Sequence, residues 1–186
     1  MFMVTKVPRH SYYSTAYYRH PAAPTMDEKD RMGAELIFDL DADHLKDADK
    51  MTYDEMLVQI RSEMINLVDS FLMGDLGFSE DQIQLTFSGG RGYHAHILSP
   101  DVLTLGTHER RELVDYITFN GLNIDWVFPI EREVMRSAVI RGETRVSVSE
   151  RRTIPGEKDG GWKRKMRLGL MEVVEDICTR DLKDLK

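Results

Sequence analysis

The chain has 186 residues, 41% apolar and 31% charged, which is enough for one domain with its own core and fits an ordinary globular composition. Its single cysteine, Cys178, excludes an internal disulfide and points to a reducing compartment; with no apolar run near the roughly 18 residues of a membrane span and no apolar leader at the start, a cytoplasmic protein is expected. A formal net charge of −7 argues against a nucleic-acid coat protein, whose affinity comes from Lys and Arg, but not against an enzyme that needs only a local basic track.

Residues 1–9 read as a frayed start. The aromatic stretch from Ser11 to Arg19 predicts a strand, and Pro21 and Pro24 end it and set an extended connection toward Asp27. Next, Leu36, Ile37 and Phe38 predict a buried strand running into Asp39, Asp41 and Asp43, and a period of two puts all three acids on one face. Close carboxylates repel one another unless a cation lies between them, and hard oxygen donors suit Mg²⁺ or Mn²⁺. Such a site implies phosphate chemistry; its alternative is an acidic turn at a strand end.

Thr52 and Glu55 have capping-box form, and Met56, Ile60, Met64, Leu67, Val68 and Phe71 then recur at helical spacing toward an end near Gly74. Alternation at Ile83, Leu85 and Phe87 and again at Tyr93, Ala95 and Ile97 predicts two strands joined by a glycine-rich turn. That turn reads Ser88-Gly89-Gly90-Arg91-Gly92-Tyr93-His94. Its glycines let backbone N–H groups approach an anion, and Ser88, Arg91 and His94 add a hydroxyl, a forked cation and an imidazole. This is a cradle for a triphosphate, and with the acidic strand it supplies the minimum equipment for nucleotidyl transfer. His96 shares a strand face with His94 and reads as a hydrogen-bonded structural residue.

Leu113, Val114 and Ile117 suggest a helix from Thr107 to a left-handed end at Asn120 and Gly121, followed by Asp125 and Trp126. Residues 138–140 and 145–148 suggest short strands. Residues 151–167 are locally basic, carrying Arg151, Arg152, Lys158, Lys163, Arg164, Lys165 and Arg167 against Glu157 and Asp159, and fit either a solvated linker or a loop touching a nucleic-acid backbone. A helix over residues 162–178 precedes a polar tail, Arg180 to Lys186. The expected division is residues 1–150 and residues 151–186, the second being a basic loop and helix of the same domain.

The segments Tyr13-Ser14-Thr15-Ala16-Tyr17-Tyr18-Arg19-His20-Pro21, Phe38-Asp39-Leu40-Asp41-Ala42-Asp43 and Ser88 to His94 together resemble the small, catalytic subunit of archaeal and eukaryotic DNA primases, over about residues 10–120. The resemblance implies an α+β fold in which a mixed sheet flanked by helices brings both motifs to one rim. It implies that Asp39 and Asp41 bind two divalent ions, Mg²⁺ or Mn²⁺, that Ser88, Arg91 and His94 bind the incoming nucleotide's phosphates, and that Asp43 is at most an outer-shell acid. It also implies synthesis of RNA primers on a single-stranded DNA template from nucleoside triphosphates, with a large-subunit partner. Two departures stand out. Residues 44–87 hold no cysteine and only His44, so the Cys-rich zinc knuckle of many such primases is not expected, and no match to the family's third catalytic aspartate follows residue 120, where Asp125 is the one substitute on offer and lacks the family's flanking residues. A fragment or shortened form of the subunit is therefore expected. The alternatives are a chain that binds nucleotide or a partner without turnover, and a haloacid-dehalogenase-type phosphatase, in which Asp39 would be the nucleophile but for which the glycine-rich turn has no use.

Overall fold

The computed structural model describes residues 2–140 and 143–180, so the tail beyond Arg180 lies outside the described residues. The fold is α+β. A short helix α1 (Phe2–Lys6) precedes strands β1 (Ala16–Tyr18), β2 (Arg31–Ala34) and β3 (Leu36–Asp41), then α2 (Tyr53–Asn66), β4 (Ile83–Phe87), β5 (Gly92–Ile97) and α3 (Thr107–Ile117). The remainder comprises α4 (Ile124–Val127), the strands β6 (Ile130–Ile140) and β7 (Glu143–Arg152), and α5 (Gly161–Thr179). Two compact units result, Met1–Thr118 and Phe119–Lys186. The division drawn from sequence at residue 150 falls within β7.

In the first unit, β5 is the centre of an antiparallel sheet ordered β3-β5-β4. Strand periodicity sorts its residues into two faces. Leu36 and Phe38 stand opposite Ile97 and Ala95, and all four are buried. Helix α2 packs on β3 and β5 and contributes buried Ile60 and Met64, followed by Leu67, Phe71 and Leu72. Each large side chain so buried stabilises the fold by roughly 1.5–3 kcal/mol. The other face is left to Asp39, Asp41, His94 and His96. The helix begins where its capping box predicts: Thr52 N–H donates to Glu55 Oε2 at 2.8 Å and Glu55 N–H to Thr52 Oγ1 at 3.3 Å. Its end differs. From Leu67 to Met73 the helix widens to π-type turns, Gly74 N–H donating to the Asp69 carbonyl at 3.1 Å, so the path continues to Gly74 with an altered phase.

Other elements also depart from the sequence expectation. The aromatic strand shrinks to three residues, because β1 finds a ladder partner only in β2. Helix α3 stops at Ile117, where the Thr118 hydroxyl donates to the Val114 carbonyl at 2.8 Å and Phe119 turns to φ +62°. In the second unit the two short strands are parts of one long hairpin, β6–β7, laced by Arg132–Glu150 at 2.7 Å and Arg151–Glu131 at 3.2 Å. Among the described residues no helix is long and apolar enough to cross a membrane.

Candidate active site

The register between β3 and β5 builds the site. Asp39 stands directly opposite His94 and Asp41 opposite Gly92, so the acidic strand and the end of the glycine-rich turn meet on one face. His94 Nε2 lies 3.3 Å from Asp39 Oδ1, and the Asp39 side chain is 67% exposed. Asp41 Oδ1 accepts from the Asp43 N–H at 3.1 Å. The second oxygen of each carboxylate is therefore open to a ligand. Across from Asp41 there is no side chain at all, since a Cβ on Gly92 would sit 2.5 Å from the Leu40 carbonyl oxygen. Beside Asp39 a groove of about 460 Å³ runs along β3, lined by Ile37, Leu40, Leu67, Phe71 and Val114 among others.

Asp43 does not share the strand face of Asp39 and Asp41. The hydrogen bond from its own N–H to Asp41 ends the strand and folds Ala42–His44 into a 3₁₀ turn, which breaks the period of two. Its carboxylate instead pairs with the Arg91 guanidinium at 2.7 Å. The turn at residues 88–91 also differs in detail from a bare anion nest. Ser88 Oγ itself accepts the N–H groups of Gly92 at 3.1 Å and Gly90 at 3.4 Å, leaving its hydroxyl proton to donate outward. Gly89 supplies the left-handed step at φ +83°. Two further bonds pin the turn: Ala42 N–H donates to the Arg91 carbonyl at 3.1 Å, and the Tyr53 hydroxyl to the Gly90 carbonyl at 2.9 Å. Tyr53 carries no signal in the sequence beyond its place after the Thr52 cap.

Next to the site, from the same sheet face, begins a second network. His96 Nδ1 is 3.2 Å from Glu35 Oε2, and the Tyr17 hydroxyl donates to Glu35 Oε1 at 2.6 Å. The Tyr17 bond above all, with His96 adding to it, holds the Glu35 carboxyl below its usual range, while the same bond raises the Tyr17 hydroxyl. The backbone here is clamped by Arg110, which donates to the carbonyls of Glu35 at 2.7 Å, Ala34 at 2.9 Å, Val102 at 3.1 Å and Leu105 at 3.0 Å. One guanidinium thus fixes the entry to β3. Asp125, the later acid that sequence offers as a third carboxylate, belongs to the second unit and is engaged by Arg152 at 2.7 Å.

No group of three or more His, Cys, Asp or Glu side chains gathers into a metal cluster among the described residues. Two open carboxylates on one strand face do suit Mg²⁺ or Mn²⁺, ions that keep several waters and complete their shell with substrate phosphates. The donor set fits such an ion.

The family model described as DNA primase small subunit matches residues 38–184. Proteins named DNA primase small subunit PriS are 45% identical over 183 residues in Methanocella arvoryzae and 42% over 183 residues in Methanococcoides burtonii, covering 96% and 97% of this chain. That of Thermoplasma volcanium is 54% identical over 120 residues, 64% of this chain and 36% of the relative. The chain spans 44% of the length of the first two.

Proposed function

This chain belongs to the family of DNA primase small subunits, and on that premise we propose that it forms the nucleotide-binding part of a catalytic subunit joining ribonucleoside triphosphates into short primers on single-stranded DNA. The observation carrying this reading is the cross-strand placement of Asp39 against His94 and of Asp41 against a bare Gly92. Two divalent ions, Mg²⁺ or Mn²⁺, when bound to the free oxygens of Asp39 and Asp41, supply charge neutralisation and a lowered pKa for the attacking 3′ hydroxyl. The chain's own part is to hold the triphosphate. Arg91 offers a forked cation and Ser88 a hydroxyl proton from a turn that Tyr53 and Ala42 keep from shifting, and His94 offers its imidazole from the strand that follows. Asp43 orients the Arg91 guanidinium. Synthesis takes place with a large-subunit partner and a template strand.

A second reading, nucleotide binding without turnover, is favoured by the engagement of Asp125 with Arg152. Calorimetric titration with a nucleoside triphosphate and Mn²⁺, beside a primer-synthesis assay with the large subunit, separates the two. Asp39→Asn with Asp41→Asn should lower nucleotide affinity at least about tenfold and abolish synthesis while the circular dichroism stays unchanged. Primer synthesis surviving in the double variant refutes the catalytic reading. Nucleotide binding without any synthesis in the unsubstituted complex establishes the second.

A further inference from the structure

Charge is unevenly divided along the chain. Lys and Arg number 11 against 20 Asp and Glu in residues 1–118, but 14 against 12 in residues 119–186. The net negative charge of the first unit disfavours a polyanionic strand, and the slight positive excess of the second favours one. Within the basic stretch of that unit, Arg151, Arg152 and Arg167 are neutralised by Glu131, Asp125 and Glu157. Lys163 and Arg164 have no carboxylate partner among the described residues. Lys163 Nζ lies instead over the Trp126 ring, 4.5 Å from its centroid.

Trp126 is 57% exposed, yet the turn that displays it is firmly fixed. Asn123 Oδ1 accepts the Asp125 N–H at 2.8 Å, Val127 is 1% exposed and anchors α4, and Arg152 donates to both Asp125 Oδ1 and the Phe128 carbonyl, at 2.7 and 3.0 Å. A rigidly held indole, open to solvent and with an unpaired cation on its ring, has the chemistry of a base-stacking platform. We propose that Trp126 stacks a base of single-stranded DNA while Lys163 and Arg164 take the flanking phosphates. This rests on the primase reading and assigns a contact for its template. Every base has a π-face, so the contact is tolerant of sequence, as a template contact must be.

The chain has two tryptophans, and Trp162, which packs edge-on against Phe119 at 4.6 Å, can be replaced by Phe to leave Trp126 as the sole reporter. The full chain carrying Trp162→Phe is titrated with an oligothymidylate, without nucleotide or metal, across a range of salt. The expected result is quenching of Trp126 emission, with log affinity falling against log salt at a slope of about −1.4 for two phosphate contacts. Trp126→Ala should weaken binding on the order of tenfold, Trp126→Phe less, and Lys163→Glu with Arg164→Glu should weaken it and flatten the salt slope. Absence of quenching, equal quenching by a duplex of the same length, or an affinity unchanged in Trp126→Ala and in the charge variant each overturns the proposal. So does Trp126 emission shielded from acrylamide in the free chain, which means that protein covers the indole. Calorimetry with nucleoside triphosphate and Mn²⁺ on the same samples keeps the two readings apart. Nucleotide binding with no DNA quenching sinks the stacking platform alone, and quenching with no nucleotide binding supports the platform and sinks the reading of the Asp39 site.

Discussion

At position 92 a methyl group has nowhere to go. The Leu40 carbonyl oxygen would lie 2.5 Å from it and the Asp41 Cα 3.3 Å, and both are backbone atoms in the middle of a ladder. Gly92→Ala should therefore force β3 and β5 apart, costing about 1–3 kcal/mol in urea denaturation. It should also displace Asp41 relative to the turn and weaken nucleotide binding measured by calorimetry. A variant as stable as the parent and binding equally well would show that the close approach of the two strands is not needed. Ser88 illustrates a different economy of atoms: its oxygen gathers two amides of the turn while its proton is not used in either bond, so one hydroxyl shapes the turn and keeps a donor to spare.

Tyr17 in β1, Glu35 at the head of β3 and His96 in β5 tie one sheet to the other through side chains. Because the folded Glu35 carboxyl titrates below its unfolded value, its contribution is complete above the unfolded carboxylate range near pH ~4.3 and disappears as pH falls through the folded value. Removing the hydroxyl with Tyr17→Phe takes away the main cause of that depression. The variant should be less stable than the parent at pH 7 and equally stable once the carboxyl is protonated in both, read from urea midpoints between pH 7 and pH 3. A stability gap independent of pH contradicts this account. The same elements mark what the bare sequence reveals. The β4–β5 pair and the start of α2 were legible because alternation and a capping box are local patterns. The hairpin β6–β7 was legible only in its inner parts, because its outer residues are held by cross-strand ion pairs such as Arg132–Glu150, where apolar alternation is weak. Glu35 reads as an ordinary acid before a strand, since its partners are 18 and 61 residues away. The two motifs of the site were recognisable as segments; that Asp39 stands against His94, and that Asp43 turns away to Arg91, depends on register and on where the strand ends.

Among the described residues, burial is concentrated in the first unit. Strand β5 contributes Ala95 and Ile97 and α2 contributes Ile60 and Met64 to the core, whereas α5 has no buried residue along its length. Helices of that kind draw little stability from packing. In hydrogen exchange followed by mass spectrometry of the full chain, amides of β5 and the middle of α2 should exchange slowest and those of α5 orders of magnitude faster; equal protection in both would contradict the burial pattern. The hydroxyl of Tyr53 adds a constraint on the order of events during folding. It belongs to the first turn of α2 yet reaches the Gly90 carbonyl, 37 residues further along the chain. Until that turn has wound, the tether has no fixed origin, so this pin on the glycine-rich turn cannot precede the winding of the helix at Thr52.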